Sequence, residues 1–303
     1  MSDDTSADPR TGFIAVLGAP NAGKSTLINR AVGTKVSIVS PKVQTTRTRI
    51  IGILMRGACQ LLFIDTPGIF EPRRRLDRAM VAAAWNGAED ADGILLLIDA
   101  MRGIDEDSRR ILDQLKQRGL RTWLAINKTD AVKKPALLQL TQSLSDEELF
   151  DEVFMISAKT GDGVEDLLDA LADAAPPGPW MYPPDQISDM PERQLAAEIT
   201  REQLYLQLRQ ELPYAATVET ETWEDRDDGS IAIGQVVFVE RESQRAIILG
   251  KGGQRIRAIG TAARKELARL LDCPVHLNLF VKVRGKWGDD PERYRSWGLD
   301  FNA

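Results

Sequence analysis

The stretch Gly18, Ala19, Pro20, Asn21, Ala22, Gly23, Lys24, Ser25, Thr26 constrains this 303-residue chain most, because an apolar run (Phe13 to Leu17) precedes it and a helix-like run (Leu27 to Val32) follows. A strand, a glycine-bounded loop and a helix in that order make a phosphate-binding loop. The glycines let the backbone wrap a phosphate chain, and its N–H groups and the helix start supply positive potential. Lys24 is placed to reach the terminal phosphates and Ser25 to ligate Mg²⁺. Average residue frequencies produce this spelling by chance in roughly one chain of this length in a hundred, and the flanking strand and helix make chance rarer still.

Such a loop specifies a triphosphate and leaves the base open. The base is addressed in Thr122 to Asp130, an apolar strand ending in Asn127, Lys128, Thr129 and Asp130. Guanine presents two adjacent donors, N1–H and the N2 amine, and one carboxylate at Asp130 can accept both. Adenine would turn an acceptor toward it, leaving a buried carboxylate unpaired. Asn127 is expected to tie the loop to the base edge, and the Lys128 stem to cover the purine face.

Two more strand ends complete the pocket. Gln60 to Gly68 is an apolar strand followed by Asp65, Thr66, Pro67 and Gly68, where Asp65 can hold Mg²⁺ through water and the Gly68 N–H can face a γ-phosphate. Val153 to Lys159 ends in Ser157, Ala158 and Lys159, a small polar loop suited to closing over guanine. Between the phosphate loop and Asp65 lies Pro41 to Arg49, where a threonine can meet both Mg²⁺ and γ-phosphate and order the segment only with triphosphate. The sequence does not choose cleanly between Thr45 and Thr46; Thr46 is favoured. Lys24, Thr46 and Gly68 form the catalytic set, with Ser25, Thr46 and Asp65 around the metal.

These five motifs, in this order over residues 13 to 160, resemble the translation-factor-type GTPases. One departure matters. Where many such enzymes carry a water-orienting Gln after the glycine of D-x-x-G, this chain has Ile69, and its one histidine, His276, is far away in sequence. Water must be activated by another group, by the substrate phosphate, by a cation or by a partner. In related GTPases the residue matching Asn21 helps to hold K⁺ between the phosphates; a loop-stabilising Asn is the equal alternative.

Strands are expected near 13–17, 50–55, 60–65, 93–99, 122–127 and 153–157, with covering helices near 105–118 and 164–173. That alternation is α/β with a mostly parallel sheet and ligands at the strands' C-terminal ends. Residues 1–11 read as a disordered tail, small and acidic, neither signal peptide nor membrane span. Cys59 and Cys273 lack metal spacing and suit a reducing cytoplasm. Ala175 to Pro184 holds five prolines in ten residues, which can continue neither helix nor central strand. This places a GTPase domain at 12–175, a linker at 176–191 and a second domain at 192–303.

The second domain reads αββααβ: helix 192–211, strands 215–223 and 231–239, helix 243–249, then Gly250, Lys251, Gly252, Gly253, helix 254–271 and strand 275–284. A G-x-x-G loop between two helices, after Ala246 to Leu249 and before an Arg-rich helix, resembles a type II KH domain, which clamps about four nucleotides of single-stranded RNA. Lys251, Arg255 and Arg257 are the cations nearest the loop. The whole chain carries a net charge of −6, yet residues 241–286 hold eleven Lys or Arg against three acids. That local excess is what an RNA-binding face requires. Residues 219–240 hold seven acids and one Arg, a face turned from RNA or toward a basic protein.

A five-motif GTPase domain joined to one C-terminal KH domain is similar to the Era GTPases. The spellings Gln44 to Arg47, Glu211 to Tyr214, Arg241 to Gln244 and Pro274 to Leu277 agree with that family from Phe13 to about Gly298. The resemblance implies a GTPase, using GTP/GDP and Mg²⁺, that binds the 3′ end of 16S ribosomal RNA and acts in assembly of the 30S subunit; with Ile69 in place of the Gln, its intrinsic turnover is expected to be slow. It further implies a cytoplasmic monomer with peripheral contact at the cell membrane. A membrane-associated signalling GTPase, or an RNA-binding module holding GTP as a structural ligand, are the alternatives. The aromatic tail with Trp287, Tyr294 and Trp297 suits core packing or RNA more than lipid.

Overall fold

The computed structural model describes residues 8–42, 45–72, 74–208 and 212–303; Met1 to Ala7, Val43, Gln44, Arg73, Arg209, Gln210 and Glu211 lie outside the described residues. The chain forms two compact units. The first comprises residues up to Ser37, Thr46–Asp189 and Tyr294–Ala303, the second Ile38–Thr45 and Met190–Arg293.

The first unit is a six-stranded sheet with β1 (Arg10–Gly18), β2 (Ile50–Arg56), β3 (Cys59–Asp65), β4 (Gly93–Asp99), β5 (Thr122–Asn127) and β6 (Val153–Met155) in the order β2-β3-β1-β4-β5-β6. Only the β2–β3 pair is antiparallel. Strands β3, β4 and β5 are buried along their whole length because helices cover both faces. Period-two alternation sorts their side chains. Ile14, Val16, Leu95 and Leu97 enter the core under α1 (Lys24–Val32) and α5 (Val164–Ala174). Ala15, Leu17, Ile94, Leu96 and Ile98 enter the core under α2 (Arg75–Glu89), α3 (Glu106–Arg118) and α4 (Lys134–Ser145). Because β1 is flanked by β3 and β4, the loop after it opens at the topological switch point where such sheets bind ligands.

Several boundaries depart from the sequence expectation. Arg10 and Thr11 belong to β1 and not to a tail, since β1 pairs with β3 from Arg10↔Cys59 onward. The proline-rich run is no free linker. The Gln60 side chain accepts from the N–H of Met181 (2.9 Å) and Tyr182 (3.0 Å), and Ile53 N–H donates to the Ile187 carbonyl (2.9 Å), so residues up to Asp189 close the edge of β2. Prolines cannot enter a central strand but are well suited to an edge that needs few N–H donors. Finally, residues 294–303 join the first unit: Tyr294 and Leu299 are buried against Ala79 and Met80 of α2, with Trp297 and Phe301 around them.

In the second unit α6 (Glu192–Gln207), β7 (Ala216–Asp225), β8 (Ile231–Val239), α7 (Glu242–Leu249), α8 (Gln254–Leu270) and β9 (Val275–Val283) give the αββααβ order. The sheet runs β7-β8-β9, the first pair antiparallel and the second parallel. Trp287 is buried and donates to the Ala215 carbonyl (3.0 Å), which settles its side chain as core. The final helix, α9 (Pro291–Ser296), leads into the tail. Residues 38–42 pack with this unit: Ile38 lies among Ala196, Ile199 and Ile233, Val39 N–H donates to Glu202 Oε1 (2.8 Å), and Lys42 Nζ donates to the Leu208 carbonyl (2.6 Å). No helix among the described residues is long and apolar enough to cross a membrane.

Candidate nucleotide pocket and nucleic-acid loop

The phosphate loop is shaped by its neighbours. Gly23 sits at φ 105°, and a Cβ there would stand 2.2 Å from the Asn127 amide nitrogen, so only glycine fits. Asn127 occupies that space to donate to the Ala22 carbonyl (2.8 Å), tying the end of β5 to the glycine-bounded loop. Ala19, Ala22 and Pro20 are buried, Thr26 is half-buried, and the Pro20 carbonyl accepts from Arg102 (3.1 Å). Lys24 lies almost wholly inside, its Nζ donating to the carbonyls of Gly18 (3.0 Å) and Ala19 (3.2 Å). Burial pushes its pKa down to about 8, against the opposing pull of the Asp65 carboxylate.

Asp65 is fully buried at the end of β3, and three hydroxyls converge on its Oδ2: Ser37 at 2.5 Å, Ser25 at 2.9 Å and Thr46 at 3.3 Å. Ser25 and Thr46 also touch each other at 3.2 Å. Burial raises the Asp65 pKa, with the Ser37 hydrogen bond and the Lys24 charge pulling it back. Its Oδ1 is buried with no hydrogen-bond partner. A buried carboxylate oxygen left over beside a set of hydroxyl oxygens fits a hard divalent cation such as Mg²⁺. Thr45 goes elsewhere: its hydroxyl meets Ser40 (3.0 Å) and the Lys42 carbonyl (2.9 Å). Thr66 is tied to the Val16 carbonyl (2.7 Å), and Pro67 and Gly68 are buried after it. Ile69 faces the core beside Leu17 and Ala84, so its side chain has no part in positioning water.

At the base-binding end, Asn127 Oδ1 accepts from the N–H groups of Lys128 (2.8 Å) and Ala158 (2.9 Å), which joins the two loops. Lys128 Nζ donates to the Asn21 carbonyl (2.8 Å) and to Asp99 (2.6 Å). Ser157, fully buried, donates to Asp130 Oδ1 (2.7 Å), while Lys159 is exposed. Asp130 itself is exposed, which corrects its expected burial. Its penalty against adenine therefore arises only once a base covers it. β6 also stops at Met155, two residues early, freeing Ile156 and Ser157 to make the loop. Asp99 and Arg102 carry no motif of their own. Asp99 ends a strand at the ligand edge, which is the one signal the sequence offers for it; for Arg102 there is none.

In the second unit, Gly250, Lys251, Gly252 and Gly253 link α7 to α8. Lys251 and Gly252 are exposed, and Gly252, at φ 58°, has open space where a Cβ would project. Arg257 is exposed, but Arg255 donates to the Ile247 carbonyl at the end of α7 (2.6 Å), so its charge caps that helix as well as facing the loop. Ile247 beside it is half-exposed. Arg269 pairs with Glu266 (3.0 Å), which makes it part of a solvated helix face.

A family model described as a 50S ribosome-binding GTPase matches residues 13–128, and a KH-domain model matches residues 211–288. The chain is 62% identical to the GTPase Era of Rhizobium meliloti over 96% of this chain and 93% of that protein. To the GTPase Era of Agrobacterium fabrum it is 59% identical over 99% and 94%. Among solved structures it superposes with TM-score 0.90 on a point variant of Aquifex aeolicus Era bound to GDP·AlF4⁻, at 37% identity over 95% of this chain and 99% of that one. The same score and identity, over 96% and 99%, hold for Era in complex with MgGDPNP and nucleotides 1506–1542 of 16S ribosomal RNA.

Proposed function

The chain belongs to the Era family of GTPases, and we propose that it is a guanine-nucleotide switch that grips the 3′ end of 16S ribosomal RNA with its KH loop and serves 30S subunit assembly. The observation that carries this is the placement of residues 38–46. Thr46 brings its hydroxyl to Ser25 and Asp65, while Ile38, Val39 and Lys42 before it pack with the unit that holds the KH loop. A segment that is metal-sensing at one end and held by the KH unit at the other suits a nucleotide-dependent change in RNA grip.

Gly18 to Thr26 would wrap the phosphates, with Lys24 carrying the charge toward the terminal ones. Ser25, Thr46 and Asp65 would hold Mg²⁺, which when bound neutralises phosphate charge. Gly68 offers its N–H to the γ-phosphate, with Thr66 and Pro67 fixing the approach. Asn127, Lys128, Asp130, Ser157, Ala158 and Lys159 form the guanine site. With Ile69 turned into the core, turnover is slow, and K⁺ held near Asn21 is our choice for the missing positive charge. Gly250, Lys251, Gly252, Gly253, Arg255 and Arg257 form the RNA loop, Arg257 and Lys251 through phosphates. A ribosomal partner supports a cytoplasmic location, and we take the protein as a monomer. Peripheral membrane contact draws no support from the aromatic tail, since Trp287 and Tyr294 are buried.

Crosslinking to a 16S 3′-end oligonucleotide, in the GTP-analogue and GDP forms of the full chain, tests this. The parent should crosslink more strongly in the GTP-analogue form, and a Lys251→Asp/Gly252→Asp variant weakly in both while still binding GDP. Equal crosslinking in the two nucleotide forms would remove the switch, and full crosslinking by the double variant would move the RNA site off the loop.

A further inference from the structure

Among the groups that the five motifs leave out, Ser37 is the one built into the metal cluster. Its side chain is 1% exposed, and its hydroxyl makes the shortest of the three contacts to Asp65 Oδ2, at 2.5 Å. The backbone around it is clamped from α1. Asn29 Oδ1 accepts from the N–H groups of Val36 and Ser37, both at 2.9 Å, and Asn29 Nδ2 donates to the Ser37 carbonyl at 2.7 Å. Ser37 is also the last residue of the first unit before the segment 38–45 that groups with the second. A residue whose backbone is held by three bonds to Asn29, on the helix that begins at Lys24, does not depend on what the following segment does.

We propose that Ser37 is a positioning residue for the divalent cation: it fixes the rotation of the Asp65 carboxylate, so that Oδ1 stays available to the cation and its water. Ser25 and Thr46 cannot do this alone. Their oxygens are the ones offered to the metal, and Thr46 follows a segment that packs with the other unit. Ser37 has no such second duty. Its hydroxyl donates to Oδ2 from the side anchored by Asn29, and Oδ1 is left as the buried oxygen with no partner. Outer groups that orient a metal-binding carboxylate commonly change metal affinity by about 10–100-fold when removed. Asn29 has the same assignment one step back, as the anchor of Ser37.

This assignment rests on the metal reading of Ser25, Thr46 and Asp65, and the test separates the two. Release of a fluorescent GDP from the full chain is followed as a function of Mg²⁺ concentration, for Ser37→Ala, Ser37→Cys and Asp65→Asn beside the parent. Both Ser37 variants should need roughly tenfold or more Mg²⁺ to slow release by half, with the release rate in chelator unchanged. Ser37→Cys keeps the volume but has only a weak donor, so it distinguishes the hydrogen bond from simple packing. A parent-like Mg²⁺ midpoint in Ser37→Ala, or in Ser37→Cys alone, would overturn the assignment, even if melting temperature fell. An Asp65→Asn variant with an unchanged Mg²⁺ midpoint would instead overturn the metal reading itself.

Discussion

Lys24 ties nucleotide binding to pH. Its ammonium is buried, partnered by two carbonyls of its own loop, and burial lowers its pKa to about 8. Phosphates arriving beside it would favour the charged form and return the pKa toward the ordinary lysine value of about 10.4. Above a pH of about 8 the free protein binds fewer protons than the complex, so binding takes up a proton and affinity falls as pH rises. Near pH 8 uptake should be about half a proton per nucleotide, and between about pH 7 and about pH 9 affinity should fall roughly tenfold, about 1.4 kcal/mol. Calorimetry of GDP binding in buffers of different ionisation enthalpy reads the uptake. A chelator in those titrations keeps metal from Asp65. A Lys24→Arg variant keeps the charge but does not titrate, so proton changes of the nucleotide itself are common to both proteins. No difference in uptake between the parent and Lys24→Arg at about pH 8 would refute the reasoning.

Two other perturbations address specificity and the cation. Asp130→Asn replaces an acceptor by an amide that faces guanine donors but suits the carbonyl of xanthine; two charge-assisted hydrogen bonds at roughly 1.5–3 kcal/mol each make the expected loss of GTP affinity about two to four orders of magnitude. XTP should gain, and parental GTP affinity in a competition assay would dismiss the base-site assignment. If a monovalent cation assists at Asn21, hydrolysis should run faster in K⁺ than in Na⁺ at equal ionic strength, and Asn21→Ala should erase the difference; equal rates in both salts for the parent would leave Asn21 as a loop residue.

Much of the site was legible because its chemistry is local. The phosphate loop, Asp65 and Asn127 all sit at the ends of apolar strands, where strand length and the adjoining polar residues announce them. Thr46 could be preferred to Thr45 only weakly, since neighbouring threonines differ in nothing but where the fold turns them. Ser37 was invisible: a serine with no motif acquires its role from a carboxylate 28 residues away. Asp99 and Arg102 became meaningful only when β4 was laid beside β1 and β5. The prolines misled because their inability to join helix or central strand is shared by linkers and by edge covers, and the hydrogen bonds to the Gln60 side chain and from Ile53 N–H tell the two apart.

The packing of Tyr294 and Leu299 on α2 has a bearing on how the protein is made and how it can be cut. Residues 294–303 leave the ribosome after the whole of the second unit, yet they cover Ala79 and Met80, which belong to the unit synthesised first. The GTPase unit therefore waits, with that flank bare, until the KH unit has been translated. A fragment ending at the proline-rich run would keep every nucleotide motif and still carry a permanently uncovered apolar strip along α2. Such strips favour self-association. Order of synthesis and order of assembly thus run in opposite directions at this one seam, and a faithful dissection of the protein has to carry its last helix along with its first strand.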